Sequence, residues 1–205
     1  MNIFFASPLF CPPIQFFYAL AHSNFWVVMD HLNYHTRSFQ TQCKVKTRAG
    51  GSYHLLRVPI LYPCSRKPLH QIKIDNYPPW KRYFLFNIEK NYENTEYYKL
   101  YIDDLTCHIN GSSILLVTLN MGLILWITGL LKINPSYLHS QTLYVRYPKS
   151  EVIKVLCRRY GAEPFTAIPK IASNNREKNL SILHYLFTKG ADETRKILNI
   201  DSKDF

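Results

Sequence analysis

WVVMDHLNYHTRSFQTQCKVKT, residues 26–47, passes from an apolar run into a polar and basic segment. The apolar run, residues 26–29, is typical of a strand that is covered on both faces of a sheet. Asp30 and His31 follow this run directly. In open α/β sheets, ligands bind beyond the carboxyl ends of the strands. We therefore take Asp30 and His31 as candidate catalytic residues.

The pattern on either side of this stretch alternates strands with helices. Two strands, 44–47 and 53–60, flank Gly50-Gly51 and predict a hairpin. The other predicted strands are 2–6, 25–30, 141–147 and 165–168. The predicted helices are 14–21, 80–92, 96–105, 114–131, 150–160, 180–189 and 192–200, the last two being separated at Gly190. This alternation predicts one α/β domain over residues 1–205, with a mainly parallel sheet flanked by helices and a hairpin after the second strand.

The composition excludes a disordered chain, because 47% of the residues are hydrophobic and only 19% are charged. Twenty-five Lys and Arg against 14 Asp and Glu leave a net charge of +11. This charge favours anionic partners such as phosphorylated small molecules, nucleic acid or an acidic membrane surface. Five cysteines without a C-x-x-C pair predict reduced, mostly buried thiols in a cytoplasmic protein. Cys43 is also an alternative nucleophile, because it lies in the basic segment beside Lys44.

Two apolar segments resemble membrane elements. Residues 1–21 contain three prolines and have no Lys or Arg before the apolar run, which argues against a signal peptide. Residues 114–131 carry no charge and approach the roughly 20 residues of a membrane-spanning helix. Asn120 and two glycines interrupt this second segment, so a buried core helix fits it as well.

Two roles are open for Asp30. A carboxylate at the end of a strand can orient a substrate or act as a general base. The structural alternative is a salt bridge to Arg37. His31 and His35 lack a third ligand nearby in the sequence, so we predict no metal, and no motif predicts a cofactor.

The cations of the basic segment suit a phosphate-bearing ligand. Lys44 and Lys46 have the period-two spacing that places both on one face of a strand. Arg37 can hold an anion through two parallel hydrogen bonds. An ordinary solvated edge strand also carries lysines, so this alternative stays open. No recognisable nucleic-acid-binding module surrounds the cations, which argues against nucleic acid as the partner.

These residues resemble the WbqC-like protein family. SPLFCPPIQFF, FWVVMDHLNYHTRSFQTQCKVKT and RVPI occur in the order of the family's Q-P-x-F-x-P-x-x-G-Y-F motif, its strand ending in D-D-V-Q, its R-N-R-I segment and its T-V-P-V strand. WKRYF from Trp80, Leu119-Asn120 with Leu123-Ile124, the segment 149–165 and NLSILHYLFTKGADETRKIL also have counterparts in the same order. The resemblance covers nearly the whole chain and assigns residues 114–131 to a core helix rather than a membrane span.

The resemblance implies a role in bacterial surface-glycan assembly, such as O-antigen and lipopolysaccharide biosynthesis. It implies a transferase-like step on an activated, phosphate-bearing sugar such as a nucleotide sugar. The alternative hypothesis is a divergent, non-catalytic member that keeps ligand or partner binding. A nucleic-acid-binding protein is the third hypothesis. The oligomeric state does not follow from the sequence.

Several polar positions depart from the family pattern. His31 stands where the family has its second Asp, and Gln42, Cys43 and Lys44 stand where it has Arg, Asn and Arg. Pro8, Pro12, Asp30, Arg37, Pro59 and Trp80 are retained. With these departures, the resemblance places the candidate substrate-binding residues at Ser7, Asn33, Arg37, Gln42, Lys44 and Lys46.

Overall fold

The computed structural model describes residues 1–62, 67–77, 79–143, 148–166 and 179–200. The strands are β1 (Asn2–Ala6), β2 (Phe25–Val28), β3 (Gln42–Lys46), β4 (Tyr53–Arg57), β5 (Tyr137–His139) and β6 (Glu163–Pro164). The helices are α1 (Ile14–Ala21), α2 (Trp80–Tyr92), α3 (Tyr98–Asn110), α4 (Leu116–Leu130), α5 (Lys149–Tyr160) and α6 (Ile182–Ile197). Short 3-10 turns lie at Leu69–Gln71 and Ser140–Leu143. The predicted α/β class is confirmed.

Four strands form a parallel sheet in the order β5-β2-β1-β6. Strands β3 and β4 form a separate antiparallel hairpin, in which Gln42 lies opposite Arg57 and Lys46 opposite Tyr53. Gly50 in the connecting turn has φ 72°, a left-handed conformation that glycine adopts without a steric penalty. Both the parallel sheet and the hairpin after the second strand are therefore as predicted.

Two predicted strands are displaced along the chain. The strand expected at 141–147 lies instead at Tyr137–His139, where it pairs with β2. It ends there because the main-chain N–H of Gln141 donates to the Asp30 carboxylate and the chain turns into a 3-10 conformation. The strand expected at 165–168 pairs with β1 two residues earlier, at Glu163–Pro164. Residues 144–147, 167 and 168 lie outside the described residues.

The parallel sheet is covered on both faces, which explains the unbroken apolar run at its centre. On one face, Trp26 and Val28 pack into the main core together with α1, α2, α3, α4 and α6. On the other face, Val27 and Met29 form a smaller core with Val152 and Leu156 of α5. Alternate side chains of β2 are thus buried on opposite sides, as the prediction of a doubly covered strand requires.

Helix α4 lies within the main core. Its 15 residues include nine buried ones, among them Asn120 and Thr128. In the part of the chain that the structure describes, no helix is both long enough and apolar enough to cross a membrane. The expectation of a core helix in this segment agrees with the observed packing.

Helix α6 is kinked at Gly190, where the sequence predicts a break between two helices. Gly190 has φ 75° and ψ 174°, far from helical values. The kink turns the main-chain N–H of Ala191 toward Tyr101, to whose hydroxyl it donates at 3.0 Å. The two predicted helices are therefore the two halves of one bent element.

Candidate functional site

The carboxyl ends of three parallel strands meet at one edge of the sheet. Val28 at the end of β2 lies beside His139 at the end of β5. The hydroxyl of Ser7, just after β1, donates to the main-chain carbonyl of Met29 at 2.9 Å. This contact ties the end of β1 to the end of β2, so the Ser7 proton serves a structural hydrogen bond.

Asp30 lies at the centre of this edge and is completely buried. Its Oδ2 is 2.6 Å from Nδ1 of His139. Its Oδ1 accepts hydrogen bonds from the Ser140 hydroxyl and from the main-chain N–H of Gln141, both at 3.0 Å. A carboxylate without access to water requires donors of this kind, and here both oxygens have them.

His139 reaches solvent, whereas Asp30 does not. Its side chain is 29% exposed, whereas the Asp30 side chain is 0% exposed. Because Nδ1 faces the carboxylate, it carries a proton, and Nε2 becomes the basic nitrogen of the neutral ring. A buried carboxylate that orients an imidazole in this way is a recurring device for general-base catalysis.

His31 and His70 also contact the Asp30 cluster. Nδ1 of His31 is 2.6 Å from the Ser140 hydroxyl oxygen. Nδ1 of His70 is 3.0 Å from the main-chain carbonyl of Asp30, to which it donates, since a carbonyl can only accept. Three imidazoles therefore surround one buried carboxylate residue.

These imidazoles do not form a recognisable metal centre. Within the described ranges, no group of three His, Cys, Asp or Glu side chains is arranged to hold a metal ion. The nitrogens nearest the cluster, Nδ1 of all three rings, are occupied by oxygen partners.

Arg37 is exposed and lies in the loop between β2 and β3. The Asp30 carboxylate bonds to His139, Ser140 and Gln141, and the Arg37 guanidinium is not among its partners in the described chain. Arg37 has φ 57°, and its main-chain carbonyl accepts a 2.7 Å hydrogen bond from Nε2 of Gln42. Buried Gln42 thus holds the loop conformation at Arg37, while its own Oε1 is buried without a partner among the described atoms.

The remaining predicted binding residues lie in different surroundings. Lys44 and Lys46 are half-buried and share one face of β3, and Nζ of Lys44 lies 4.1 Å from the centre of the Tyr53 ring. Lys46 lines a cavity of about 270 Å³ together with Arg48 and His184, and this cavity shares no lining residue with the Asp30 cluster. Asn33 is exposed and forms an isolated bridge with Pro68. The structure therefore divides the basic segment between two regions.

Asn120, a polar residue within the apolar helix α4, donates hydrogen bonds to two loops. Its Nδ2 donates to the carbonyls of Pro8 at 3.1 Å and Gln40 at 2.8 Å. Pro8 follows β1, and Gln40 lies in the loop that follows β2. Asn120 thereby joins the two loops that leave the functional edge of the sheet.

From the sequence we named Asp30 and His31, which lie in this cluster, but not His139, Ser140 or His70. A sequence signal for His139 and Ser140 exists, because this polar pair follows Tyr137-Leu138 and repeats the strand-then-polar pattern of Asp30-His31. Because the strand was predicted at 141–147, His139 and Ser140 were placed before a strand and not at the end of one. His70 carries no comparable signal, because it reaches Asp30 through a loop that follows no periodic pattern.

Comparison with known proteins gives one result. Residues 7–178 of the 205 match the family model described as the WbqC-like protein family. No curated protein and no solved structure matches the chain. The matched span contains the Asp30 cluster together with Asn120.

Proposed function

Because the chain belongs to the WbqC-like protein family, we propose that it is a transferase of glycan biosynthesis that acts on an activated, phosphate-bearing sugar. The observation that carries this proposal is the 2.6 Å contact between the buried carboxylate of Asp30 and Nδ1 of the partly exposed His139. This pair is suited to removing a proton from the hydroxyl or amine of an acceptor.

In the proposed step, the acceptor attacks the anomeric carbon of the sugar. A bond forms from the acceptor oxygen or nitrogen to that carbon, while the bond from the carbon to the phosphate oxygen breaks. The bonding electrons leave with the phosphate, and the acceptor proton moves to Nε2 of His139. Asp30 stays ionised and stabilises the imidazolium that forms.

The phosphate of the donor requires a cation. Arg37 is exposed on the loop directly after the Asp30 strand, and its guanidinium has no partner in the described part of the chain. Arginine holds phosphate through two parallel hydrogen bonds. We assign donor binding to Arg37; Lys44, whose Nζ lies over the Tyr53 ring on β3, is not part of this assignment.

A nucleotide-sugar panel with hydroxyl and amine acceptors tests the proposal. Release of nucleoside diphosphate and formation of the coupled product are followed by mass spectrometry. His139→Asn keeps an amide donor toward Asp30 and removes the basic Nε2, so turnover is expected to fall by roughly 10²–10⁴-fold.

His35→Asn is the matched control, since His35 lies in the same segment as Asp30 but is exposed. This variant is expected to retain the turnover of the parent chain. Equal turnover of a donor by the parent chain and by His139→Asn would overturn the proposed base.

A non-catalytic binding protein is the second candidate. It is favoured by the full hydrogen bonding of Asp30, whose three donors also close the turn after β5. In this case, the panel gives ligand-induced thermal stabilisation without any turnover. Loss of that stabilisation in Arg37→Ala would then identify the loop after β2 as a binding element.

A further inference from the structure

The Ser140 hydroxyl has a single proton but lies within hydrogen-bond distance of several groups. The main-chain N–H groups of Asp30 and His31 point to its oxygen at 3.1 and 3.4 Å. Oδ1 of Asp30 lies at 3.0 Å and Nδ1 of His31 at 2.6 Å. The Ser140 proton can go to Oδ1 of Asp30 or to Nδ1 of His31. This choice determines whether Nδ1 of His31 carries a proton of its own.

The carboxylate decides the direction of both hydrogen bonds. An ionised Asp30 can only accept, so the Ser140 proton points to Oδ1. The Ser140 oxygen is then an acceptor toward His31, whose Nδ1 must carry a proton. One directed chain results, with His31 donating to Ser140, Ser140 donating to Asp30, and His139 donating to Asp30 from the other side.

We propose that His31 is the second acid–base group of the site and that Ser140 is the positioning residue that holds it. Each of the two imidazoles donates through Nδ1 to an oxygen that accepts whether the ring is neutral or protonated. The hydrogen bonds of Asp30 are therefore the same whether the rings of His31 and His139 are neutral or protonated.

This role deepens the proposed transfer and rests on it. While His139 takes the proton of the acceptor, a protonated His31 gives the proton of its Nε2 to the departing phosphate oxygen. The two transfers leave the total proton count of the site unchanged, and exchange with water restores each ring. The direction of the hydrogen bonds, by contrast, can be tested without any activity.

Long-range ¹H–¹⁵N spectra of the imidazole rings in the full-length, ¹⁵N-labelled chain give that test. In the parent, the neutral rings of His31 and His139 are both expected as the Nδ1–H tautomer. In Ser140→Ala, Nδ1 of His31 loses its acceptor, so the tautomer of His31 is expected to shift away from Nδ1–H, while His139 keeps its tautomer. His70 is the internal reference, because its acceptor is a main-chain carbonyl that the substitution leaves in place.

The parent spectrum alone can overturn the proposal, so it stays testable even if Ser140→Ala does not fold. If His31 is in the Nε2–H form while His139 is in the Nδ1–H form, His31 is not the second acid–base group. The assignment of the Asp30–His139 pair would still hold. Turnover gives the second readout: His31→Asn keeps a donor toward Ser140, and a loss of roughly 10²–10⁴-fold is expected. Turnover that depends on His139 but not on His31 would reject His31 alone, whereas turnover that depends on neither would reject the proposed function itself.

Discussion

Asp30 places an ionisable group where water does not reach, and three hydrogen-bond donors replace its hydration. All three donors come from His139, Ser140 and Gln141, more than 100 residues away along the chain. Asp30 therefore joins β2 to the turn after β5 and also orients His139. Stability and proposed chemistry depend on the same carboxylate.

Asp30→Asn is therefore expected to destabilise the fold. The Asn side chain has one acceptor oxygen and one donor nitrogen, so at least one donor of the site loses its acceptor. Breaking a buried, charge-assisted network costs about 3–5 kcal/mol. At about 2–4 °C per kcal/mol for a chain of this size, the melting temperature should fall by about 6–20 °C.

Asp103→Asn is the control for this change, because Asp103 is exposed on α3. Its effect on the free energy of unfolding is expected to stay within about 0.5 kcal/mol. Equal melting temperatures for Asp30→Asn and the parent would mean that the three hydrogen bonds contribute nothing to stability.

Only Asp30 and His31 of this cluster were named from the sequence, because the signal that marks them is local. An apolar run followed by Asp30-His31 reveals both a buried strand and its polar end. The pairing of Asp30 with His139, Ser140 and His70 becomes visible only when β5 is placed beside β2 and the loop at 67–71 beside residues 30–34. A single sequence does not contain these non-local pairings.

At the scale of elements, α4 carries both packing and site geometry. Its apolar residues fill the main core, while Asn120 holds the loops after β1 and β2 through two carbonyl oxygens. A helix that only filled space would carry Leu at this position, because burying an amide is costly unless it is hydrogen-bonded. Asn120 thus links core packing to the candidate site.

Asn120→Ala is expected to lower the free energy of unfolding by about 2–4 kcal/mol, since two buried carbonyls lose their donor. Hydrogen exchange should increase in the loops around Pro8 and Gln40 more than in the body of α4. Thr118→Ala, at an exposed position of the same helix, is the control and should change neither quantity. Unchanged exchange in both loops would contradict the linking role of Asn120.

Gly190→Ala tests the kink in α6. The backbone conformation at Gly190 is accessible essentially to glycine alone, and an added Cβ would lie 2.7 Å from Cε1 of Tyr97. We expect a loss of about 2–3 kcal/mol in the free energy of unfolding, measured by urea denaturation.

Gly129→Ala is its matched control. Gly129 is exposed in α4, and an added Cβ would meet nothing within 4 Å. Because alanine is the better helix former, this substitution should be neutral or stabilising by up to about 1 kcal/mol. A Gly190→Ala variant as stable as Gly129→Ala would show that α6 can straighten without cost.

Element prediction was accurate where periodicity or a glycine marks the boundary and inaccurate for the short strands. The 3.6-residue spacing of α2 and the break at Gly190 agree with the structure. Strands β5 and β6 have three and two residues. Such short strands are defined by their neighbours in the sheet rather than by their own residues, which explains the displaced predictions.

At the scale of the whole molecule, the chain combines a doubly covered sheet with one hairpin that packs on the main core. Cys11, after β1, and Cys43, in β3, both lie in this core and are each 1% exposed. Ser181 joins the same two regions, since its hydroxyl donates to the main-chain carbonyl of Cys11 and its main-chain N–H donates to that of Lys44. The two thiols therefore report on whether the hairpin stays attached to the sheet.

Alkylation by iodoacetamide, followed by peptide mass spectrometry, should distinguish these thiols from Cys107, which is exposed on α3. Burial raises the pKa of the Cys11 thiol, and the neighbouring Cys43 thiol raises it further, so the reactive thiolate is scarce in the folded chain. Cys107 is expected to react first, while Cys11 and Cys43 react only as the molecule unfolds. Their rates should then rise together with urea concentration, as for groups protected by global unfolding.

Cys107→Ser is the control: it should remove the fast modification of the peptide that contains Cys107 and leave the slow rates of Cys11 and Cys43 unchanged. Modification of Cys43 at the rate of Cys107, in a chain with native circular dichroism, would contradict this packing. It would mean that the hairpin opens without global unfolding, and it would restore Cys43 as a candidate nucleophile. Equal, slow rates for Cys11 and Cys43 would instead establish that hairpin and sheet unfold as one cooperative unit, because only the opening of the shared core exposes either thiol.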